Sequence, residues 1–316
     1  MRIIILWVWW SALAWIWYLL NSLWFSVIGI DKVQSRNTDI LSNYWVRILI
    51  WHWKINIHNN DCIIYSDIDA IKKCSEIQQL QILQNPDKPR PCAMSYSEFI
   101  GHLSKYMQTI GIAWTNGKST TTTITTHTIA HLLPKKFALG ILGANIPQRW
   151  NIPIKWNTSK HNFLYEILRH LLFWKWNLST DTIANIKKYY MVVEACEYKD
   201  HYLLYDCDRS IVTNITYDHE DRFHSQESYN ASFANFINKV RQWVFVHENS
   251  RFANHPKTTP LPTKEFSFDH LLGTINNLNW TLVYWLLQSL DTTIDNNLLQ
   301  STIASTPNLE RRLEPI

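Results

Sequence analysis

Glycine is nearly missing from this chain. It numbers seven of 316 residues, about 2 % against an ordinary share of about 7 %. So little glycine excludes collagen-like and Gly/Ser-linker architectures. It also leaves few residues that enter left-handed turns without cost. Cysteine is scarce as well. Cys62, Cys74, Cys92, Cys196 and Cys207 make an odd number with no C-x-x-C pair. That excludes a fully paired disulfide framework and a zinc ribbon, and fits reduced thiols in a cytoplasmic protein. Neither sign of charge dominates: a net charge of +4 suits small anions and nucleic acid alike and separates neither. Thirteen histidines are scattered without metal-ligand spacing, and no internal repeat or low-complexity tract is present. The length suffices for about two domains with sizeable cores.

Tryptophan stands where glycine is missing. There are 17 Trp, and the two residue types together make about 7.6 % of the chain, an ordinary glycine content. Their positions matter more than the total. Trp7, Trp9, Trp10 and Trp15 follow the apolar run Ile3-Ile4-Ile5-Leu6, in the places a nucleotide-binding strand-to-helix turn gives to glycine. Trp114, Trp51-His52-Trp53 and Trp174-Lys175-Trp176 also occupy turn-like places. The expectation is that most or all of these Trp are glycines in the living protein, the gene coming from a lineage that decodes UGA as glycine. Ordinary TGG codons at Trp7, Trp9, Trp10 and Trp114 would defeat it. Read literally, Ile3 to Ile30 is a membrane-anchor candidate. With glycines restored it becomes a strand, a turn, a helix over about residues 11–22 and a second strand ending at Asp31.

The chain centres on Ile110 to Thr123, IGIAWTNGKSTTTT. A buried strand end leads to a turn, then to Lys-Ser at the start of a helix, the layout of a phosphate-cradling loop. Lys118 is placed to reach phosphates and the Ser119 hydroxyl to hold Mg²⁺. Threonines fill the following helix, where hydroxyls are expected to face a ligand. His127 and His131 lie one turn apart, but with no third ligand evident a structural role is expected. Strands are expected at Ile3–Leu6, Phe25–Ile30, Val46–Ile50 and Cys62–Tyr65, and later at Tyr189–Val193, Ser210–Ile215 and Trp243–Val246. Ser66 follows the fourth, at the end where open α/β sheets bind ligands. Helices are expected at 97–107, 228–240, 282–290 and 298–303, with a Pro/Thr-rich loop at 254–263. Glu194 and Asp218-His219 follow two of the strands beside the phosphate loop and make a metal site with Ser119. The fold class is α/β, an N-terminal Rossmann-like domain (1–107) followed by a P-loop α/β ATPase domain (108–316).

These motifs resemble the Mur ligase family of ATP-dependent amide-bond ligases, over nearly the whole chain. With glycines restored, Ile5 to Ala14 reads I-L-G-V-G-G-S-A-L-A and Ala113 to Thr121 reads A-G-T-N-G-K-S-T-T. Glu194-Ala195-Cys196-Glu197-Tyr198 matches the E-A-[CD]-E-[YS] element of the alanine-adding branch and its recycling relative. Thr213-Asn214-Ile215 with Asp218-His219, residues 273–279 (GTINNLN) and Arg311-Arg312-Leu313-Glu314 resemble further family elements.

The resemblance implies that Trp114, Thr115, Asn116, Gly117, Lys118, Ser119 and Thr120 bind ATP phosphates. It gives metal contacts to Ser119, Glu194 and His219, adenine contacts to Asn276 and Asn279, and phosphate contact to Arg312. Lys118, Glu194 and His219 carry the catalytic roles. Trp7, Trp9, Trp10, Ser11, Asp31 and Ser66 line the UDP-sugar site. ATP and Mg²⁺ are the implied cofactors, and UDP-N-acetylmuramate and L-alanine the substrates, with no nucleic-acid or membrane partner; oligomeric state is not legible. The alternatives are a ligase that attaches recycled tripeptide and a non-catalytic nucleotide-binding protein anchored by Ile3 to Ile30. Three departures from the family are expected to matter: Ile275 in place of its His, Trp in place of its glycines, and no C-terminal domain after Arg312. The last makes the chain a fragment that does not ligate alone.

Overall fold

The computed structural model describes residues 2–6, 11–31, 34, 38–39, 47–50, 57–58, 61–66, 92–113, 117–133, 138–142, 161–173, 184, 189–213, 215–220, 222–262 and 274–306. The chain forms two compact units, residues 1–103 with 157–183, and residues 104–156 with 184–316. The segment 157–183, which the sequence reading counted with the second domain, groups with the first by its contacts.

In the first unit β1 (Ile3–Leu6), β2 (Val27–Asp31), β3 (Arg47–Ile50), β4 (Cys62–Tyr65) and β5 (Cys92–Ser95) make one parallel sheet in the order β3-β2-β1-β4-β5. This is the Rossmann order, with ligand sites expected at the carboxyl ends near β1 and β4. β1 and β4 are buried along their whole length, as strands covered on both faces must be. Helix α1 (Ser11–Ser22) follows β1 and buries Leu13, Ile16, Trp17, Leu19 and Leu20 at helical spacing. The apolar stretch read literally as an anchor is therefore strand, helix and strand, and no described helix is long and apolar enough to cross a membrane. Arg2 closes the sheet's amino end: its Nη2 donates to Asp61 Oδ2 at 2.6 Å and its Nε to Oδ1 at 3.2 Å. Burial raises the Asp61 carboxyl, but Arg2 and the His58 N–H outweigh it and hold the group below the usual carboxylate range. β5 and helix α2 (Tyr96–Ser104) follow the proline cluster. β5 is four residues long and carries little alternation, so it escaped sequence reading.

The end of α1 bears on the tryptophans. Trp24 N–H donates to Asn21 O at 3.0 Å and Phe25 N–H to Leu20 O at 3.1 Å, the paired bonds of a Schellman cap. Trp24, the residue just past the cap, has φ 64° and is 91 % exposed. This cap position selects glycine, because a Cβ there costs about 1–2 kcal/mol. Trp24→Gly removes that strain and, at such exposure, loses almost no packing. It is expected to raise unfolding stability by about 1 kcal/mol, read as a higher urea midpoint at constant slope; a lower midpoint would contradict the cap argument. Trp17 and Trp280 differ, being buried in the core. The indole N–H groups of Trp17 and Trp285 are buried without a hydrogen-bond partner, an arrangement native interiors seldom carry.

In the second unit β6 (Gln108–Ala113), β7 (Ala138–Ile141), β8 (Tyr190–Ala195), β9 (Arg209–Val212), β10 (Trp243–His247) and β11 (Thr258–Leu261) make a six-stranded parallel sheet in the order β11-β10-β9-β6-β8-β7. Helix α3 (Lys118–Leu132) is buried on every side from Ser119 to Ala130. It packs against β7 and β8 and against α6 (Thr274–Leu290) and α7 (Asn296–Ala304). A hydrophobic core joins Ile110, Ile112, Val192 and Ile211 of the sheet to Ile124, Leu286 and Ile303 of these helices. The α3 threonines do not all serve a ligand as expected. The hydroxyls of Thr123, Thr126 and Thr128 donate to the carbonyls of Ser119, Thr122 and Ile124, one turn back. That satisfies side chains which otherwise compete with helix formation. Gly140 is required by the same packing, since a Cβ there would meet Thr126 Oγ1 at 2.7 Å.

Five further elements differ from the sequence expectation. The segment expected to be a loop contains β11, an edge strand whose Pro260 pairs with Val246. Proline is tolerated at an edge, where no neighbour needs its N–H. β7 and helix α4 (His161–Phe173) lie outside the expected elements, and the helix expected at 282–290 begins earlier, at Thr274. Helix α5 (Gln226–Lys239) begins two residues earlier than expected, at a reciprocal cap in which Ser225 Oγ accepts from Ser228 N–H.

Candidate functional site

β6 has β8 on one side and β9 on the other, with Ile112 opposite Glu194 and Ala113 opposite Val212. The chain thus changes direction across the sheet at β6, and the carboxyl ends of these three strands form the switch point where α/β sheets bind ligands. Gly117 caps α3 in the left-handed conformation, φ 90° and ψ 8°, which only glycine adopts freely. The first helical bond runs from Thr121 N–H to Gly117 O, 3.0 Å. The preceding amides, those of Lys118, Ser119 and Thr120, therefore lie in the first turn, where the helix offers no internal acceptor and the dipole favours an anion.

Lys118 is not directed into solvent. Its Nζ lies 3.0 Å from Glu197 Oε2 and 3.3 Å from Oε1, and the Glu197 side chain is fully buried. His219 Nε2 is 3.6 Å from Glu197 Oε1, and Tyr229 OH donates to the same oxygen at 3.4 Å. His219 has φ 58°, a conformation that costs a non-glycine residue free energy and marks constrained sites. Its carbonyl accepts from Arg222 and Phe223 N–H, so it opens a tight turn. The turn after Glu197 is fixed in the same way. Lys199 and Asp200 are left-handed, and Asp200 accepts from Arg222 at 2.7 Å and from Ser232. Arg222 thereby ties the His219 loop to the Glu197 turn. Burial pushes the neighbouring Cys196 thiol above its ordinary value, consistent with an inert thiol.

Of the expected site residues, Lys118 and His219 come together around Glu197, and Gly117 caps the helix that Lys118 begins. Ser119 and Thr120 are buried in the first turn of α3. Glu194 is the last but one residue of β8, half-buried. Among the described residues no three His, Cys, Asp or Glu are grouped to hold a metal. Glu197 belongs to the same sequence element as Glu194, with no role expected for it. Nothing in the sequence separates it from Glu194, and only its burial against Lys118 does. In the first unit Asp31 ends β2, buried, and Ser66 follows β4, half-buried. Ser11 begins α1, and Asn276 lies in the first turn of α6; their side chains lie outside the described residues. So do Trp7, Trp9, Trp10, Trp114, Thr115, Asn116 and Arg312 as a whole. His127 and His131 are occupied in packing: His127 Nε2 meets Ser305 Oγ at 3.1 Å and His131 Nδ1 meets His127 O at 2.8 Å.

A cavity of about 400 Å³ lies beyond the ends of β9 and β10, lined by Thr213, Ile215, His247, Arg251, Leu278 and Asn279 among others. Asn279 Nδ2 and Thr213 Oγ1 are buried without a hydrogen-bond partner. Buried polar atoms normally have partners, so these orphans fit a polar heterocycle. His247 Nε2 meets Leu278 O at 3.0 Å, and burial holds its imidazole below the ordinary value of 6.5. The folded state therefore keeps His247 neutral to lower pH than the unfolded chain does. Its contribution to stability is complete above about pH 6.5 and declines as acid protonates the unfolded state first. His247→Gln is expected to flatten the fall in stability between about pH 7 and 5, measured by urea melts at each pH; an unchanged slope would count against this.

The chain matches the Mur ligase middle domain over residues 112–281. It is 30 % identical over 228 residues to the UDP-N-acetylmuramate–L-alanine ligase of Borreliella burgdorferi, covering 71 % of this chain and 41 % of that relative. To the enzyme of the same name in Caldicellulosiruptor bescii it is 27 % identical over 247 residues, covering 76 % and 44 %. The chain thus spans roughly two fifths of the length of these relatives. Among solved structures it superimposes on the UDP-N-acetylmuramate-alanine ligase of Thermotoga maritima with TM-score 0.70 at 15 % identity, over 99 % of this chain and 70 % of that one. It superimposes on the UDP-N-acetylmuramate:L-alanyl-gamma-D-glutamyl-meso-diaminopimelate ligase of a Neisseria species with TM-score 0.66 at 13 % identity, over 98 % and 99 %. These structures share the fold.

Proposed function

The chain belongs to the Mur ligase family, and from that premise we propose that it provides the UDP-sugar- and ATP-binding parts of a ligase that joins L-alanine to the carboxylate of UDP-N-acetylmuramate. The observation that carries the reading is Lys118, at the amino end of a glycine-capped helix, facing Glu197 and His219 at the switch point. The residues fit the nucleotide and metal that the family implies. The amides of Lys118 to Thr120 suit phosphate oxygens, and Asn279 and Thr213 offer unmatched polar atoms to an adenine. Ser119, Glu194 and His219 are the donors that would hold Mg²⁺, which supplies charge neutralisation during phosphoryl transfer.

Lys118 then offsets the charge that grows as the muramate carboxylate attacks the γ-phosphate, the bond to the β-phosphate breaks, ADP leaves and an acyl phosphate forms. The L-alanine amine attacks that anhydride and phosphate leaves. Asp31 and Ser66, at the carboxyl edge of the first sheet, would line the UDP-sugar site. With ATP and a UDP-sugar as substrates, the ligase would act in the cytoplasm.

Calorimetric titration of the full chain with Mg-ATP and with UDP-N-acetylmuramate tests this, using glycine at positions 7, 9, 10 and 114. Absence of ATP binding at millimolar concentration would overturn it. The Glu194 to Tyr198 motif is common to the branch that uses recycled tripeptide, so L-alanine and tripeptide should be compared as acceptors in the complete ligase. Turnover with L-alanine alone is the expected result.

A further inference from the structure

Glu197 is a buried carboxylate with three partners: Lys118 at 3.0 Å, Tyr229 at 3.4 Å and His219 at 3.6 Å. The Lys118 side chain is 14 % exposed and that of Glu197 is fully buried, so the pair lies out of reach of strong solvent screening. Removing the cation from such a pair leaves a buried charge without compensation, which is strongly unfavourable. The lysine that serves the phosphates is thus engaged by a carboxylate that itself repels them.

We propose that Glu197 is a positioning residue that couples polyphosphate binding to a divalent cation. Phosphate draws Lys118 away from Glu197, and the vacated carboxylate requires a replacement positive charge, which a cation beside His219 supplies. The loop then binds polyphosphate well only when the cation is present, and Glu197 sets that dependence. The inference rests on the nucleotide reading above and adds to it the identity of the residue that enforces the coupling.

The test measures ATP affinity of the full chain carrying Trp114→Gly, once with excess Mg²⁺ and once with excess EDTA. The parent is expected to show a ratio of at least about tenfold. Glu197→Gln is expected to bring the ratio to within about twofold, chiefly by tightening metal-free binding, while Glu197→Asp keeps it. A Glu197→Gln chain with the parent's ratio overturns this inference and leaves the nucleotide reading standing. Absence of ATP binding by the parent overturns both. A second measurement guards against loss of folding. Thermal melting should show Lys118→Met lowered, and Lys118→Met/Glu197→Gln restored most of the way to the parent, because replacing both partners of a buried pair costs little. A double variant no more stable than Lys118→Met overturns the proposed pairing.

Discussion

Trp114→Gly is expected to raise the affinity of this chain for Mg-ATP by at least about 100-fold, equivalent to about 2.7 kcal/mol. Position 114 is the first residue after β6, and three residues join Ala113 to the left-handed Gly117 that caps α3. A loop this short brings its backbone close to the phosphates, and a side chain there occupies space that they need. An indole is the largest such obstacle. Titration calorimetry on the two forms decides the matter, and equal affinities would show that position 114 does not approach the nucleotide. Read beside Trp24, which holds a glycine-type helix cap at φ 64°, a positive result would support glycine as the natural residue at both places. Codons at those positions give an independent answer.

Lys118→Met in the Trp114→Gly background should undo that gain and also destabilise the fold. Loss of the charge-assisted contacts to phosphate is expected to weaken Mg-ATP binding by about 100-fold. Loss of the pair with the fully buried Glu197 is expected to lower unfolding stability by about 3 kcal/mol. The two effects come from different states, with nucleotide and without, so they are measured separately by titration and by urea melting. A surface lysine would show neither. A variant that loses ATP but keeps full stability would mean that the Glu197 contact contributes nothing to the fold.

Tertiary structure explains why the remaining expectations were only partly legible. The α3 helix contains threonine after threonine, which reads locally as poor helix. It forms because it is buried between the sheet and α6 and α7, and because Thr123, Thr126 and Thr128 return their hydroxyls to the backbone. The sequence predicts loop at β11 because Pro256, Pro260 and Pro262 outweigh the strand preference of Thr258 and Thr259. Pairing along β10 makes it a strand, and that pairing is non-local.

The sequence by itself determined the succession β1, α1 and β2, since buried apolar runs at strand length and helical spacing survive any packing arrangement. It also placed Asn116-Gly117-Lys118-Ser119, the pattern expected of a phosphate loop, between β6 and α3. It singled out Glu194 and His219 as candidate metal donors, of which Glu194 lies within β8 and His219 beyond the end of β9. Only the tertiary structure chose Glu197 as the carboxylate that meets Lys118. Glu194 and Glu197 are three residues apart and chemically identical. Glu194 lies within β8, half-buried, whereas Glu197 lies just past its end, where the turn at Lys199 and Asp200 reverses the chain and closes it against Lys118, His219 and Tyr229. Which of two equal side chains becomes buried beside a lysine depends on where the backbone turns, and the residues that fix that turn, Ser232 and Arg222, arrive from 32 and 22 positions along the chain from Asp200.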